Sequence, residues 1–287
     1  MRLKNNDEIY SFFLPYMEEA RKFSLPFLTE YKLLHFWYSR IYPDGSAIDL
    51  GIDASWFEYN LEKQYKLGPA AMPVQQLKLL STYGIEREVR FINTPANFVE
   101  IPAEDIKVMI EVYKIFYCFN IVMDRGSYIE NFAFSAPQEN PEVLSIYTHQ
   151  FGVLKSFGIA FRNKFRAQIE ELELNAKFFI PKLNMTAAFE NFLFLGGAKV
   201  GEKENWTLSN LRYFYLSTPK GDVPISPKQR QCLSLLVQGK TFKEIGQILV
   251  KPSARTAEAH ITRLRDKTGL TSAELLRAFI QSGLSLA

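Results

Sequence analysis

Only two cysteines occur in the 287 residues, Cys118 and Cys232, far apart and each inside an apolar run. That excludes a disulfide framework and a thiolate metal site, and both read as buried, reduced thiols. Histidine is equally scarce: His35, His149 and His260 are the three. None sits in a His/Cys/carboxylate cluster with metal spacing, and none is accompanied by a Ser or Cys nucleophile motif. No catalytic residues, no metal and no cofactor are therefore expected. Long apolar runs are also missing. The most hydrophobic stretch, "VYKIFYCFNIVM", is broken by Lys114 and Asn120 and is too short to span a bilayer. The start, "MRLKNNDEIYSFF", lacks the apolar core of a secretion signal, so the expected compartment is the cytoplasm. There is no internal repeat and no low-complexity tract.

What is present suffices for two domains: 47% of residues are hydrophobic and 14% aromatic. The net charge is only +3, but it is unevenly spread. From Asp222 onward there are ten Lys/Arg against five Asp/Glu, a net of +5, whereas the preceding 221 residues carry 24 against 26. A basic tail on a near-neutral body suggests that the tail alone meets an acidic partner.

The body opens with a helix over "NNDEIYSFFLPYMEEARKF". "LLHFWYSRIY", "PDGS" and "AIDLGI" read as a strand, an Asp-Gly turn and a second strand. "DASWFEYNLEKQYKLG" predicts a helix capped by Asp53 and stopped by Gly68, and "VQQLKLLSTYG" another ending at Gly84. "REVRFIN" fits a strand, and "PAEDIKVMIE" a helix with Pro102 near its start. "YKIFYCFNIVM", "DRGS" and "YIENFAFSA" form a second hairpin, with Gly126 supplying positive φ. From Asn140 as cap and Pro141 at the first turn, Leu144, Tyr147, Phe151, Leu154, Phe161, Phe165, Ile169 and Leu172 mark one long amphipathic helix to about Glu173. Leu144, Phe151 and Phe165 keep a heptad phase that would suit a dimer seam, although Gly158 interrupts it. The expected fold class is α+β: an antiparallel sheet with packed helices, like PAS, GAF or quorum-sensing ligand modules. "LGGAKVGEKENWTLSN" reads as a linker and "RYFYLSTPKGDVPIS" as a short hairpin tipped by "PKGD". The expected domains are 1–195, a linker at 196–223, and 224–287.

The tail contains "GKT", but a phosphate loop needs a glycine where Ser234 stands, so no nucleotide site is expected. Helical signals explain nearly every residue instead. Ser226 caps a first helix that ends at Gly239. Thr241 and Glu244 form a capping box for a second. Pro252 and Ser253 make a turn. "ARTAEAHITRLRDKTG" is a third helix, with Ala257, Ile261, Leu264 and Thr268 inward and Gly269 as stop. Thr271 or Ser272 caps a fourth, ending at Gly283. Two short helices, a turn and a longer basic helix make a helix-turn-helix within four helices.

At Ser226, Leu233, Leu236, Gly239, Thr241, Lys243, Glu244, Ile245, Leu249, Ser253, Thr256, His260 and the final "KTGL", the tail resembles the LuxR-type DNA-binding domain over about 60 residues. It departs at Gln229 and Gln231, where acids are usual, at Ala257 for Val, at Glu258 where Lys is common, and in a turn one residue longer. The resemblance implies base contacts from Glu258, Ala259 and Thr262, and phosphate contacts from Arg255, Thr256 and Lys243. Lys251, Ser253, Arg263 and Lys267 complete the expected DNA-binding set. The expected partner is double-stranded DNA, bound as a homodimer. A protein-interaction module that has lost DNA binding stays open, with Glu258 and the long turn in its favour. LuxR-type tails are joined to several kinds of body. The start lacks a receiver's acidic pair. Trp37, Tyr38, Asp49 and Trp56 do not reproduce the spacing of acyl-homoserine-lactone binders, and read first as core. A pocket for another small ligand would be lined by Trp37, Tyr42, Trp56 and Tyr59.

Overall fold

The computed structural model describes residues 6–63, 88–95, 102–179, 193–194, 211, 213–249 and 254–284. The helix expected at 74–84, the stop at Gly68 and the loop at 195–210 lie outside them. The chain divides into two compact units, Met1–Leu144 with Phe161–Gly196, and Ser145–Ala160 with Gly197–Ala287. Sequence order alone assigns 145–160 to the first domain; its contacts assign it to the second.

The elements up to the second hairpin are α1 (Asn6–Glu30), β1 (His35–Ile41), β2 (Ser46–Gly51), α2 (Ala54–Glu62), β3 (Glu88–Asn93), α3 (Ala103–Glu111), β4 (Tyr117–Asp124) and β5 (Ile129–Ala136). They are followed by α4 (Val143–His149), α5 (Phe151–Lys164), α6 (Arg166–Asn175) and the short strands β6 (Phe178–Phe179) and β7 (Leu193–Phe194). The seven strands form one sheet in the order β6-β2-β1-β5-β4-β3-β7, and each neighbouring pair is antiparallel. Both expected hairpins form. Ile41 pairs with Ala47 beside the Asp-Gly turn, and Asp124 with Ile129 beside Gly126, whose φ is 82°. The fold is the expected α+β class.

Strand alternation gives the central strands two distinct faces. Phe36, Tyr38, Phe132 and Phe134 line one; Phe36 and Tyr38 pack on Phe161, which also meets Phe23 of α1. Ile48, Leu50, Ile121 and Met123 share this largely apolar face, which also holds the wholly buried carboxylate of Glu130. Tyr38 donates to it at 2.9 Å, Arg125 Nε at 2.9 Å and Arg162 Nη1 at 3.0 Å. Arg40 Nε donates to the Tyr38 hydroxyl at 2.7 Å, and Arg40 Nη1 to Glu173 of α6 at 2.9 Å. Burial, and then the Glu130 charge, push the Tyr38 phenol up. A buried carboxylate is tolerable only when its oxygens are filled with donors in this way.

The single long helix expected from Pro141 is three helices. α4 starts at Val143, and Asn140 does not cap it; its amide donates to the Lys32 carbonyl at 2.9 Å. Breaks at Gln150 and Phe165 let successive helices bury different faces. Phe165 is wholly buried and Phe151 only 7% exposed, so these two of the three heptad residues serve the interior of the chain, whereas Leu144 is half-buried.

The second unit holds a two-stranded hairpin, β8 (Phe214–Thr218) and β9 (Gly221–Ile225), in which Phe214 pairs with Ile225. Four helices follow: α7 (Pro227–Val237), α8 (Phe242–Ile248), α9 (Ala254–Thr268) and α10 (Ser272–Gln281).

Replacing Glu130 with Gln would leave Arg125 and Arg162 without their counter-charge. The expected loss is roughly 2–3 kcal/mol, read as a lower urea midpoint. An unchanged midpoint would mean that the two guanidiniums are satisfied without the carboxylate.

Candidate nucleic-acid interface and an internal polar face

Local chemistry sets each turn of the tail. Ser226 Oγ accepts from Gln229 N at 3.2 Å, and Gln229 Oε1 accepts from Ser226 N at 2.8 Å. A capping box needs only a side-chain oxygen, so Gln229 does the work of the usual acid. α7 ends in a Schellman motif: Gly239 N donates to Leu236 O at 2.9 Å and Lys240 N to Leu235 O at 3.0 Å, with Gly239 at φ 80°. Thr241 with Glu244 and Thr271 with Glu274 repeat the capping box on α8 and α10. The Thr241 backbone N–H and hydroxyl hold the Glu244 carboxyl below its ordinary range.

These caps fix the rotation of α9. Ala257, Ile261, Leu264 and Thr268 are buried, as the sequence predicts, and the Thr268 hydroxyl donates to Leu264 O at 2.7 Å. Arg255, Thr256, Glu258, Thr262, Arg263 and Lys267 are exposed, and Ala259 is half-buried among them. Lys243 is exposed on α8, whereas Lys251 and Ser253 lie outside the described residues. Lys267 is partly committed, since its ammonium donates to the Pro224 carbonyl at 3.0 Å. Ile248 is 49% exposed and Ile280 is 43% exposed, whereas Ile245 and Phe279 are wholly buried. Lys228 of α7 is not among the residues the motif picks out. It reaches α9 nonetheless: burial first, then the charges of Arg263 and Lys228, lower the His260 pKa. Spacing along one helix gives no sign of such a neighbour on another.

The second candidate site is the other face of the first unit's sheet. Trp37, Trp56, Met109, Ile115, Cys118 and Ala133 form a buried cluster, flanked by Tyr59, Ile106 and Tyr113. The Trp37 ring lies so close over Gly51 that an added Cβ would sit 2.6 Å from its Cδ1. Asp53 Oδ1 accepts from Trp56 N at 3.0 Å and sets α2 in place. Three of the four expected ligand-lining residues thus meet. Tyr42 does not join them, because it follows β1 at the far end of the strand, with the Lys177 ammonium 3.6 Å from its ring centroid.

Ser39, Asp49, Asn120, Asn131 and Ser135 share the Trp37 face, each at most 3% exposed. Ser39 donates to Asp49 at 3.3 Å and Asn131 Nδ2 to Asn120 at 3.4 Å. Asn131 Oδ1 and Ser135 Oγ have no hydrogen-bond partner among the described residues. Burial pushes the Asp49 carboxyl up to about 7, against the lowering effect of Ser39. Hydrophobic periodicity cannot announce these residues, because polar side chains on alternate strand positions read as a solvated face. Among the described residues no group of His, Cys, Asp and Glu could hold a metal, and no helix is long and apolar enough to cross a membrane.

Comparison with known proteins bears on the tail. Residues 223–276 match the model for bacterial regulatory proteins of the luxR family. Transcriptional regulatory protein MctR of Rhizobium johnstonii is 39% identical over 66 residues, which are 23% of this chain and 30% of that protein. The chain thus aligns with less than a third of the length of this curated relative. Crystalline Escherichia coli SdiA aligns over all of this chain and 94% of its own, at 12% identity and a TM-score of 0.32. SdiA in complex with octanoyl-rac-glycerol aligns over all of this chain and 92% of its own, at 10% identity and a TM-score of 0.33. The four helices and the family match together identify the tail as a LuxR-type helix-turn-helix domain.

Asp49 gives a pH signature with a definite sign. Its folded pKa is raised to about 7. The stabilising protonated form is therefore fully present below the ordinary carboxylate pKa and lost as pH rises through 7. Stability should fall by roughly 3–4 kcal/mol between pH 4 and pH 8 at this site. Asp49→Asn should remove that slope in denaturation curves; an identical slope in the variant would place the titration elsewhere.

Proposed function

We propose that the protein is a cytoplasmic, DNA-binding transcription regulator that acts as a homodimer, inserts α9 into the major groove and responds to a small molecule held in its first unit. One observation carries the DNA reading. The buried stripe of Ala257, Ile261, Leu264 and Thr268 turns Arg255, Glu258, Thr262 and Arg263 outward around the small side chain of Ala259. A helix of that profile fits a major groove, with Glu258, Ala259 and Thr262 against bases and Arg255, Thr256 and Lys243 against phosphates. A glutamate there accepts from the N4 amine of cytosine and selects for it. Arg263 and Lys267, with Lys251 and Ser253, extend the phosphate contacts. One such domain meets a half-site, so two copies are required.

The ligand reading is supported by the internal polar face. Asn131 Oδ1, Ser135 Oγ and the Asp49 carboxyl offer hydrogen-bonding capacity inside an aromatic wall of Trp37, Trp56 and Tyr59. Buried polar groups are normally matched. A small molecule with an apolar body and a few donors supplies the match.

Fluorescence anisotropy with a randomised duplex pool over a salt series tests the DNA reading. Log affinity should fall linearly with log salt, and Arg255→Ala should reduce the slope by about 0.9 for its phosphate contact. Glu258→Lys should alter which sequences are enriched. Equal binding of all sequences with a flat salt response would instead favour a protein-interaction module on the same scaffold.

A further inference from the structure

The second unit is discontinuous in sequence. The helical segment Ser145–Ala160 is built into it together with the hairpin and the four helices. Three sets of contacts make this segment a seat for the rest.

The first is a buried charge. Lys155 is 3% exposed. Its Nζ donates to Ser217 Oγ at 2.5 Å, Ser217 Oγ donates to Asp222 Oδ1 at 3.2 Å, and the ammonium lies 3.7 Å from the same carboxylate oxygen. Lys155 thus grips both strands of the hairpin, β8 through Ser217 and β9 through Asp222.

The second concerns the open edge of β8. In an antiparallel pair every other N–H of a strand points away from its partner. On β8 these are Tyr215 N and Ser217 N. Ser156 Oγ accepts from Tyr215 N at 3.0 Å, and Ser282 Oγ accepts from Ser217 N at 3.1 Å. The edge is therefore closed by one hydroxyl from the segment and one from the end of α10.

The third is close backbone packing. A Cβ on Gly152 would lie 2.1 Å from the Ser282 carbonyl oxygen, and a Cβ on Gly283 would lie 2.2 Å from the Phe151 ring. No larger side chain fits at either place without separating the segment from α10.

We propose that Ser145–Ala160 is a latch for the DNA-binding bundle, closed by the Lys155–Ser217–Asp222 relay. β9 ends at Ile225 and α7 is capped by the next residue, Ser226, so holding the hairpin holds the entrance to the bundle. The segment is joined covalently to the first unit at both of its ends. The consequence for DNA rests on the DNA-binding reading above: a held recognition helix loses less freedom on binding than a released one.

Hydrogen–deuterium exchange of the full chain tests the latch with Lys155→Met and, independently, Gly152→Leu. In both variants the Tyr215 and Ser217 amides should exchange on the order of a hundred-fold faster, while amides of β1 and β5 keep their wild-type protection. Combining Lys155→Met with Asp222→Leu should restore part of the lost protection, since it removes both charges of the pair. Unchanged exchange at Tyr215 and Ser217 in both variants overturns the proposal. Equal loss of protection in β1 and β5 overturns it too, because the segment would then be part of one common core. On the duplex pool at low salt, the opened variants should bind about ten-fold more weakly. Wild-type affinity in variants whose β8 amides are open would overturn the consequence for DNA. Absence of DNA binding by the wild type would sink the DNA reading and leave the exchange result to decide the latch.

Discussion

The first unit depends on one buried anion. Glu130 stands in the middle strand of a seven-stranded sheet, on a face of aromatic and aliphatic side chains. Its carboxylate gathers Tyr38 from the neighbouring strand, Arg125 from the hairpin turn and Arg162 from α5. Aromatic packing alone is tolerant of small slips, since a ring can slide over a ring. A carboxylate with three donors is not, because each donor has one direction and one length. Hydrophobic burial brings the helices onto the sheet; this cluster decides where along it they stop.

The other face of the same sheet follows the opposite rule. There the aromatic residues cluster around Trp37 and Trp56, while Asn131 Oδ1 and Ser135 Oγ have no hydrogen-bond partner among the described residues. On one face the buried carboxylate is filled with donors, and the other holds hydrogen-bonding capacity in reserve. That asymmetry is what a binding module needs: a fixed wall on one side and an unsatisfied one on the other.

The tail was the more legible half. Its helix ends are written in single residues, Ser226, Gly239, Thr241, Thr271, and each does in the structure what its type implies. The inward stripe of α9 follows from spacing alone. In the body, strands and turns were legible from Asp-Gly and Arg-Gly turns and from alternation, but the relations between elements were not. Apolar spacing ran unbroken from Leu144 to Leu172, so three helices looked like one. The breaks come from what the segments pack against, and a one-dimensional period carries no record of that. Buried polar residues were hidden for a related reason: Asn131 and Ser135 alternate with Phe132 and Phe134 and imitate a solvated strand. Tyr42 joined Trp37 in the expected pocket because the two are near in sequence, yet strand length sends them apart. Lys155 lies within that same run, and nothing in its spacing announces that it is a buried charge of the second unit.

The two units use the same device in different places. Arg40 to Tyr38 to Glu130, and Lys155 to Ser217 to Asp222, are both relays in which a cation donates to a hydroxyl and the hydroxyl donates to a carboxylate. The intervening hydroxyl polarises in both directions, so each cation and carboxylate is steadied without direct bidentate pairing.

The broken path of the second unit also has a bearing on how the chain is made. The chain passes through it at Ser145–Ala160, departs into the first unit, and comes back at Gly197. Synthesis from the N-terminus therefore presents Lys155 and Gly152 long before Asp222 and Gly283 exist. The long detour adds little to the equilibrium cost, because loop-closure entropy grows only with the logarithm of length. Its effect is on timing, since contacts between distant parts of a chain form late. The first unit can close as soon as its own strands are complete, and the hairpin and four helices then join a helical segment of their own unit that was made long before them.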